Sequence, residues 1–213
     1  MVGAMGPLYG KLFNQPMSPY LVHLATSLVS WIFVSSLINE ACFSFISAES
    51  YIKQIKLPLT VHVMRLVWRN LLILAHNLVI VAVVLFIYPP KSAWYLLLVP
   101  FTILLLALNG VWLGLLLGLL GARFRDIPQV VGSLVNVTMF LTPILWTPDM
   151  LGSNRWIAEI NPLFHFLEMV RRPLLGEAPP LQSWMAVIAI TFCGYTIMLM
   201  FFQRFRARVP YWV

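Results

Sequence analysis

The sequence predicts an all-α integral membrane protein: a polytopic helical bundle with five full spans, an N-terminal remnant of a sixth, and short external re-entrant or interfacial helices. Of its 213 residues, 61% are hydrophobic and only 10% are charged, whereas soluble domains carry about 25% charged residues. The mean hydropathy is +0.87. The apolar runs lack the strict alternation of a membrane β-strand, so helices are favoured over a barrel. Residues 1–213 are therefore interpreted as a single membrane domain.

Each span is predicted from an apolar run that is long enough for the ~20 residues needed to cross a ~30 Å hydrocarbon core. Prolines or charged residues bound the runs. Residues 1–13 are apolar but too few to cross, and we interpret them as the tail of a helix whose beginning is absent. The five full spans are predicted at Tyr20–Ser47, Val61–Tyr88, Trp94–Leu120, Ile127–Trp146 and Leu181–Phe202.

The best-defined start of a span is the turn before Ile127. A charged residue at the centre of a membrane helix costs about 2.5–3.5 kcal/mol on insertion scales, so Arg123, Arg125 and Asp126 must lie in water. The Asp126 carboxylate can cap the next helix, and Pro128 suits a first helical turn, where a missing N–H is harmless. The fourth full span therefore begins here.

Two connecting segments are too polar to cross. AESYIKQIKLPLT is interpreted as an aqueous loop with one short amphipathic helix, because Pro58 forces its neighbour away from helical geometry. Residues 147–180 carry seven charged side chains, and the pattern of IAEINPLFHFLEMVRRPLLG predicts two short interfacial helices interrupted at Asn161-Pro162 and at Pro173.

Orientation follows from the distribution of lysine and arginine, which favours cytoplasmic loops. Residues 49–69, 121–126 and 203–213 hold nine such cations, and the opposite side holds five. The larger set is therefore predicted to be cytoplasmic, with the C-terminus on that side. Its members are Lys53, Lys56, Arg65, Arg69, Arg123, Arg125, Arg204, Arg206 and Arg208; the smaller set is Lys11, Lys91, Arg155, Arg171 and Arg172.

The sequence offers little for catalysis or metal binding. Its four histidines are scattered, no HExxH or serine-elbow motif occurs, and the two cysteines lie in separate apolar runs. GPLYGK is one residue short of a phosphate loop. We therefore expect no catalytic residue, no metal site and no cofactor on this chain. The basic residues that give the net charge of +7 lie between apolar runs and at the C-terminus. They therefore indicate the orientation of the chain in the membrane and not a nucleic-acid partner.

Three charged residues near the membrane stand out. Glu40 lies inside an apolar run, where a carboxylate is either functional or a packing group satisfied by local partners such as Asn39, Ser35, Ser36 and Ser44. Arg65 and Arg69 are four residues apart and share a helix face. They either extend to membrane headgroups as anchors or receive a phosphate-bearing lipid headgroup at a substrate entrance, for which the planar guanidinium is suited.

A stripe of glycines marks a predicted packing face. Gly110, Gly114 and Gly118 recur at every fourth residue, which allows another helix backbone to approach closely. The partner is either a helix of the same chain or a second copy.

Four stretches carry a family resemblance, in this order: SYIKQIKLP, GARFRDIPQVVGSLVNVTMFLTPILW, NPLFHFLEMVRRPLLG and RFRARVPYW. They resemble the ABC-2 type permeases that export bacterial O-antigen, capsule and teichoic-acid polysaccharides. The resemblance covers nearly the whole chain from Tyr20 onward. Family members begin with a cytoplasmic amphipathic helix and a complete first span, which here are reduced to residues 1–13.

The resemblance implies a homodimeric channel in the bacterial cytoplasmic (inner) membrane that passes a lipid-linked glycan outward. ATP and Mg would be bound by a separate ATPase subunit docked on each permease. Residues 49–60 would be the cytoplasmic coupling element, with Glu49, Lys53, Ile55 and Leu57 at the ATPase contact, and residues 148–178 would be the external gate helices.

A glycan also predicts an aromatic conduit, because aromatic faces stack on sugar C–H surfaces. Trp31, Phe33 and Phe140 are the candidates to line it, against the simpler interpretation of packing or lipid contact. Two other functions remain open: an ABC-2 drug or small-lipid exporter, and a membrane-embedded lipid-linked sugar transferase.

Overall fold

The computed structural model describes residues 2–12, 16–55 and 57–213, and these contain helices and turns but no β-strand. The helices are α1 (Val2–Leu12), α2 (Met17–Ala41), α3 (Glu49–Gln54), α4 (Leu59–Ile87), α5 (Val99–Arg123), α6 (Ile127–Leu141), α7 (Trp156–Glu159), α8 (Pro162–Leu174), α9 (Leu181–Phe205) and α10 (Val209–Trp212). Short 3-10 segments lie at Ile46–Ala48, Ala93–Leu98, Pro148–Asn154 and Arg206–Arg208. The predicted all-α membrane class is confirmed.

Four helical stretches of the described chain are long and apolar enough to cross a membrane: Pro19–Ala41, Leu59–Ile87, Ala93–Arg123 and Leu181–Trp212. Each contains most of a predicted span. The remaining predicted span, the fourth in chain order at Ile127–Trp146, is helical only over the 15 residues of α6, which corresponds to a rise of about 22 Å. Pro143 explains the early end, because a proline disfavours helical geometry at the residue before it.

The two predicted interfacial helices between residues 155 and 176 are present as α7 and α8. Asn161 caps α8: its side-chain oxygen accepts a hydrogen bond from the Leu163 N–H at 3.0 Å, and Pro162 occupies the first turn. Pro173 lies in the last turn without ending the helix before Leu174. Ten of the 13 residues of α8 are buried, charged and apolar side chains alike, so α8 packs inside the first unit, and its interfacial role stays a prediction.

The chain divides into two compact units. The first unit comprises residues 1–33, 73–104 and 138–187, and the second comprises residues 34–72, 105–137 and 188–213. Helices α2, α4, α5, α6 and α9 each contribute residues to both.

The break after α6 organises the first unit. The turn that follows α6 has backbone carbonyl groups without helical partners, and buried polar side chains satisfy two of them. Arg171 donates to the Pro143 carbonyl oxygen at 2.6 Å, and the Tyr20 hydroxyl donates to that of Leu145 at 2.7 Å. Asn161 also donates to the Thr142 hydroxyl oxygen at 2.7 Å. The TPILW turn is thereby fixed to α2 and α8.

Polar side chains join α5 to α9 in the second unit. The Asn109 side-chain amide donates to the Thr191 hydroxyl oxygen at 2.8 Å, and within α5 the Trp112 indole N–H donates to the Asn109 side-chain oxygen at 2.8 Å. The Tyr195 hydroxyl donates to the Leu108 carbonyl oxygen at 2.9 Å. Inter-helix hydrogen bonds of this kind are a common means of association between apolar helices.

Candidate functional site

A cavity of about 480 Å³ lies in the second unit, between the end of α2 and the first turns of α4. It contains both arginines of the predicted substrate entrance and the intramembrane carboxylate. The lining residues are Glu40, Phe43, Ser44, Ser47, His62, Arg65, Leu66 and Arg69.

Glu40 is satisfied by α4 through two interactions. Its carboxylate lies 2.7 Å from the Arg69 guanidinium and accepts a hydrogen bond from the buried Asn70 amide. The sequence suggested partners on its own helix, whereas these two come from 29 and 30 residues further along the chain. Glu40 therefore holds Arg69 against the cavity wall.

Arg65 is placed differently. Its guanidinium lies 5.9 Å from the centre of the Tyr51 ring, and no carboxylate of the described residues lies within 4.0 Å of it. A cation–π contact leaves the guanidinium edge available for hydrogen bonds. On one face of α4, the cavity therefore contains the Arg69 guanidinium, whose charge Glu40 neutralises, and the Arg65 guanidinium, which is available for a ligand. The Arg65 guanidinium can bind a phosphate oxyanion.

A second charged cluster lies in the first unit around Glu168. The Glu168 carboxylate is fully buried and accepts hydrogen bonds from Arg171 and, at 2.6 Å, from the Arg172 Nε. Arg172 also donates to Glu177, whose other oxygen accepts from Lys91 at 2.6 Å. This ion-pair network, which we define as these five residues, joins α8 to the loop between α4 and α5.

Gly176 makes the Lys91 end of the ion-pair network possible. Its φ is +77°, which L side chains rarely adopt, and a Cβ there would lie 2.6 Å from the Ser92 backbone nitrogen. The loop can therefore lie directly against the end of α8, which brings Lys91 to Glu177.

The network lines a cavity of about 380 Å³ within the first unit. His23 of α2 also lines it, and the buried His23 Nε2 atom has no hydrogen-bond partner among the described residues. The remaining lining residues are Pro19, Val22, Tyr88, Pro89, Pro90, Thr147, Pro148 and Leu175.

The network also sets protonation states. Burial opposes ionisation of Glu168, but the charges of Arg171 and Arg172 outweigh it and hold the pKa of Glu168 below its ordinary value. A hydrogen bond from Lys91 is the largest influence lowering the pKa of Glu177, partly opposed by burial and reinforced by Arg172. Both carboxylates are therefore ionised at neutral pH.

The predicted coupling element contains α3. Glu49 and Lys53 form an ion pair of 2.6 Å along one side of it, and the hydrogen bond from Lys53 is the main cause that lowers the pKa of Glu49. Ile55 and Leu57, which follow α3, have exposed fractions of 51% and 45%. Lys56, counted among the cytoplasmic cations, lies outside the described residues, as do Met1 and Phe13 of the predicted remnant.

The three predicted conduit aromatics occupy different environments. Trp31 and Phe33 are buried inside the first unit, whereas Phe140 is 73% exposed. Only Phe140 presents its ring at the surface of this chain, and the conduit role of all three stays a prediction.

The glycine stripe faces side chains of the same chain in the second unit. A Cβ on Gly114 would lie 2.5 Å from the Val63 side chain, and one on Gly110 would lie 3.3 Å from Leu37. One on Gly118 would collide with Ser44, whose hydroxyl donates to the Gly114 carbonyl oxygen at 3.2 Å.

Sequence reasoning singled out Glu40, Arg65 and Arg69 of the second-unit cavity but missed the ion-pair network. The spacing of Glu168, Arg171 and Arg172 at three and four residues was the available signal, since such pairs meet on a helix. Nothing in the sequence links them to Lys91 or His23.

Comparison with known proteins gives a consistent result. The family model described as ABC-2 type transporter matches residues 2–175. Two O-antigen export system permease proteins RfbA of Klebsiella pneumoniae are 28% and 26% identical over 151 residues, covering 68% of this chain and 56% of each relative. A protein of the same name from Myxococcus xanthus is 21% identical over 184 residues, covering 83% of this chain and 70% of that protein.

The matched region spans only 56% of the length of the Klebsiella relatives. The family model, in contrast, matches more than three quarters of this chain, and the all-α architecture with four membrane-length helices agrees with a membrane transporter. The chain belongs to the ABC-2 type transporter family.

Proposed function

We propose that this chain is the permease subunit of an ABC exporter that moves a lipid-linked polysaccharide across the bacterial cytoplasmic membrane. The names of the relatives support the substrate class, since three are O-antigen export permeases. ATP hydrolysis, with its Mg, is assigned to a separate ATPase subunit, and a second copy of this chain completes the channel. The chain itself acts as a permease and not as an enzyme.

The second-unit cavity is the observation that carries this proposal. A lipid-linked glycan has a phosphate group between its apolar carrier and its sugars, so an exporter must accept an anion beside hydrocarbon. Arg65 and Arg69 line one cavity, Glu40 neutralises Arg69, and Arg65 has no carboxylate partner in the described chain. The cavity thus holds one uncompensated positive charge for the phosphate, and the guanidinium can bind it through two hydrogen bonds.

The coupling element supports an ATPase partner. Ile55 and Leu57 expose about half of their surface beside the charged α3, and apolar side chains beside a short amphipathic helix can be buried only by a partner. We place the ATPase contact at Glu49, Lys53, Ile55 and Leu57. By the count of cations, this element and the C-terminus are cytoplasmic and residues 148–178 are external.

The test replaces both arginines of the entrance, Arg65→Ala with Arg69→Ala. We expect at least about a tenfold fall in surface polysaccharide, because charge-assisted hydrogen bonds contribute on the order of 1.5–3 kcal/mol each. A second double variant, Arg65→Lys with Arg69→Ala, should recover only part of the surface polysaccharide that the double alanine variant loses. Lysine keeps the positive charge of arginine but not its planar fork of hydrogen-bond donors. Surface polysaccharide is measured on whole cells, with permease level and ATPase co-purification measured in parallel.

Arg206→Ala is the matched control, because Arg206 is exposed and does not line the cavity. It should export at the parental level. Parental export by the double alanine variant would show that Arg65 and Arg69 are headgroup anchors only. Unchanged glycan together with ATP-dependent efflux of a hydrophobic drug would favour the drug-exporter alternative.

A further inference from the structure

A groove of about 280 Å³ in the second unit is used by neither the proposed substrate entrance nor the coupling element. It lies between the C-terminal ends of α5 and α9 and the final turn α10. Its lining residues are Leu119, Leu120, Arg123, Phe124, Phe201, Phe205, Arg208 and Trp212.

The groove combines an apolar lining with two cations. Arg123 lies 5.5 Å from the centre of the Trp212 ring, and Arg208 lies 5.7 Å from that of Phe205. No carboxylate of the residues that the structure describes lies within 4.0 Å of either arginine, and none lines the groove. Both guanidinium groups are therefore held by aromatic faces with their charge uncompensated.

The position of the groove selects the class of ligand. It is built on the ends of two helices that are long enough to span a membrane, so its apolar residues lie where acyl chains end and headgroups begin. Each basic residue near a membrane surface favours an anionic lipid over a neutral one. A zwitterionic lipid adds no net negative charge to offset the two guanidinium groups, and a soluble anion would leave the Phe201 side chain, which is 42% exposed, uncovered.

We propose that this groove binds an anionic phospholipid. Its acyl chain would lie along Leu120 and Phe201, and its phosphate would accept hydrogen bonds from Arg123 and Arg208. The inference stands independently of the proposed export function, since it depends only on the groove and on the chain lying in a membrane.

Trp212 provides the probe. The full chain is reconstituted into phosphatidylcholine vesicles that contain a minor fraction of brominated phosphatidylglycerol or, in parallel, of brominated phosphatidylcholine. The emission of Trp212 is obtained by subtracting the Trp212→Phe variant. We expect the anionic lipid to quench this emission with a relative binding constant about thirtyfold above that of the neutral lipid, as two basic contacts predict.

Matched variants separate the site from general surface charge. Arg123→Gln with Arg208→Gln should abolish the preference, whereas Arg206→Gln, in the same C-terminal segment but outside the groove, should keep it. Arg123→Lys with Arg208→Lys should retain most of the preference, because the charge remains.

Equal quenching by the two lipids would overturn the proposal. So would a preference that survives loss of both arginines. Protection of Trp212 from both brominated lipids by an added ATPase subunit would assign the groove to a protein contact instead.

Discussion

At the residue scale, Glu168 is held inside the first unit by two arginines. It is fully buried, and its partner Arg171 is only 2% exposed. Arg171 in turn donates to the Ser27 hydroxyl at 3.1 Å and to the Pro143 carbonyl at 2.6 Å. Removing one partner of such a pair leaves an uncompensated buried charge, so the residues stabilise the unit only together.

We predict that Glu168→Gln lowers the free energy of unfolding by about 3–5 kcal/mol, the usual cost of breaking a buried pair. Glu159→Gln is the control, because its pair with Arg155 is partly exposed and should contribute no more than about 1 kcal/mol. Thermal unfolding of the detergent-solubilised protein, followed by intrinsic fluorescence, measures both. Equal stability of Glu168→Gln and the parent would contradict the role of the network.

The same carboxylate predicts a pH dependence. The pKa of Glu168 is lower in the folded protein than the ordinary value of about 4.3. Its contribution is therefore complete above about pH 4.3 and is lost as the pH falls through the lower folded pKa. We expect the parent to lose stability below about pH 4 more steeply than Glu168→Gln, and parallel curves for the two would refute this assignment.

Some of the sites could be predicted from single residues and some could not. Glu40, Arg65 and Arg69 were identifiable because a charge near an apolar run is costly wherever the chain folds. Their pairing needed the structure, since Glu40 and Arg69 are 29 residues apart. The link between Lys91 and Glu177 spans 86 residues, a separation that no helical spacing encodes.

At the element scale, the positions of the apolar runs and prolines predicted where the long helices lie. They predicted the residues at which the helices end less accurately. The segment Ile127–Trp146 was predicted to be one span, but the helix ends at Leu141 before Pro143. The proline was visible in the sequence. The sequence did not show that Arg171 and Tyr20 donate hydrogen bonds to carbonyl groups of the turn after α6. These two residues lie 28 and 125 residues from their acceptors.

Close helix packing in the second unit predicts that alanine at one glycine lowers the stability of the fold, whereas alanine at another leaves the stability unchanged or raises it. A Cβ at Gly121 of α5 would collide with the Cys42 backbone carbonyl, whereas a Cβ at Gly132 of α6 would lie 3.5 Å from the nearest atom, in the Asn39 side chain. Gly121→Ala should therefore destabilise by about 1–3 kcal/mol. Gly132→Ala should be neutral or stabilising by up to about 1 kcal/mol, because alanine favours a helix.

Thermal unfolding of the two alanine variants in the same detergent measures this difference. Destabilisation of both to the same extent would indicate a general intolerance of α5 and α6 to substitution, contrary to the close approach of α5 to Cys42.

At the scale of the whole molecule, the membrane class and the family could be predicted because both depend on distributed features: apolar runs, the order of short motifs and the placement of cations. The family model matches residues 2–175. The direction of transport and the partners depend on a complete assembly, and so they stay proposals.

The central claim is that this chain, driven by a separate ATPase, exports a lipid-linked polysaccharide. Its most direct test uses inside-out membrane vesicles that contain the chain and the ABC ATPase that co-purifies with it, loaded on the outside with radiolabelled lipid-linked glycan. We predict that ATP renders the glycan resistant to an added glycosidase, and that omitting either subunit abolishes this protection. Glycan that stays fully accessible while the assembled complex hydrolyses ATP would contradict the account.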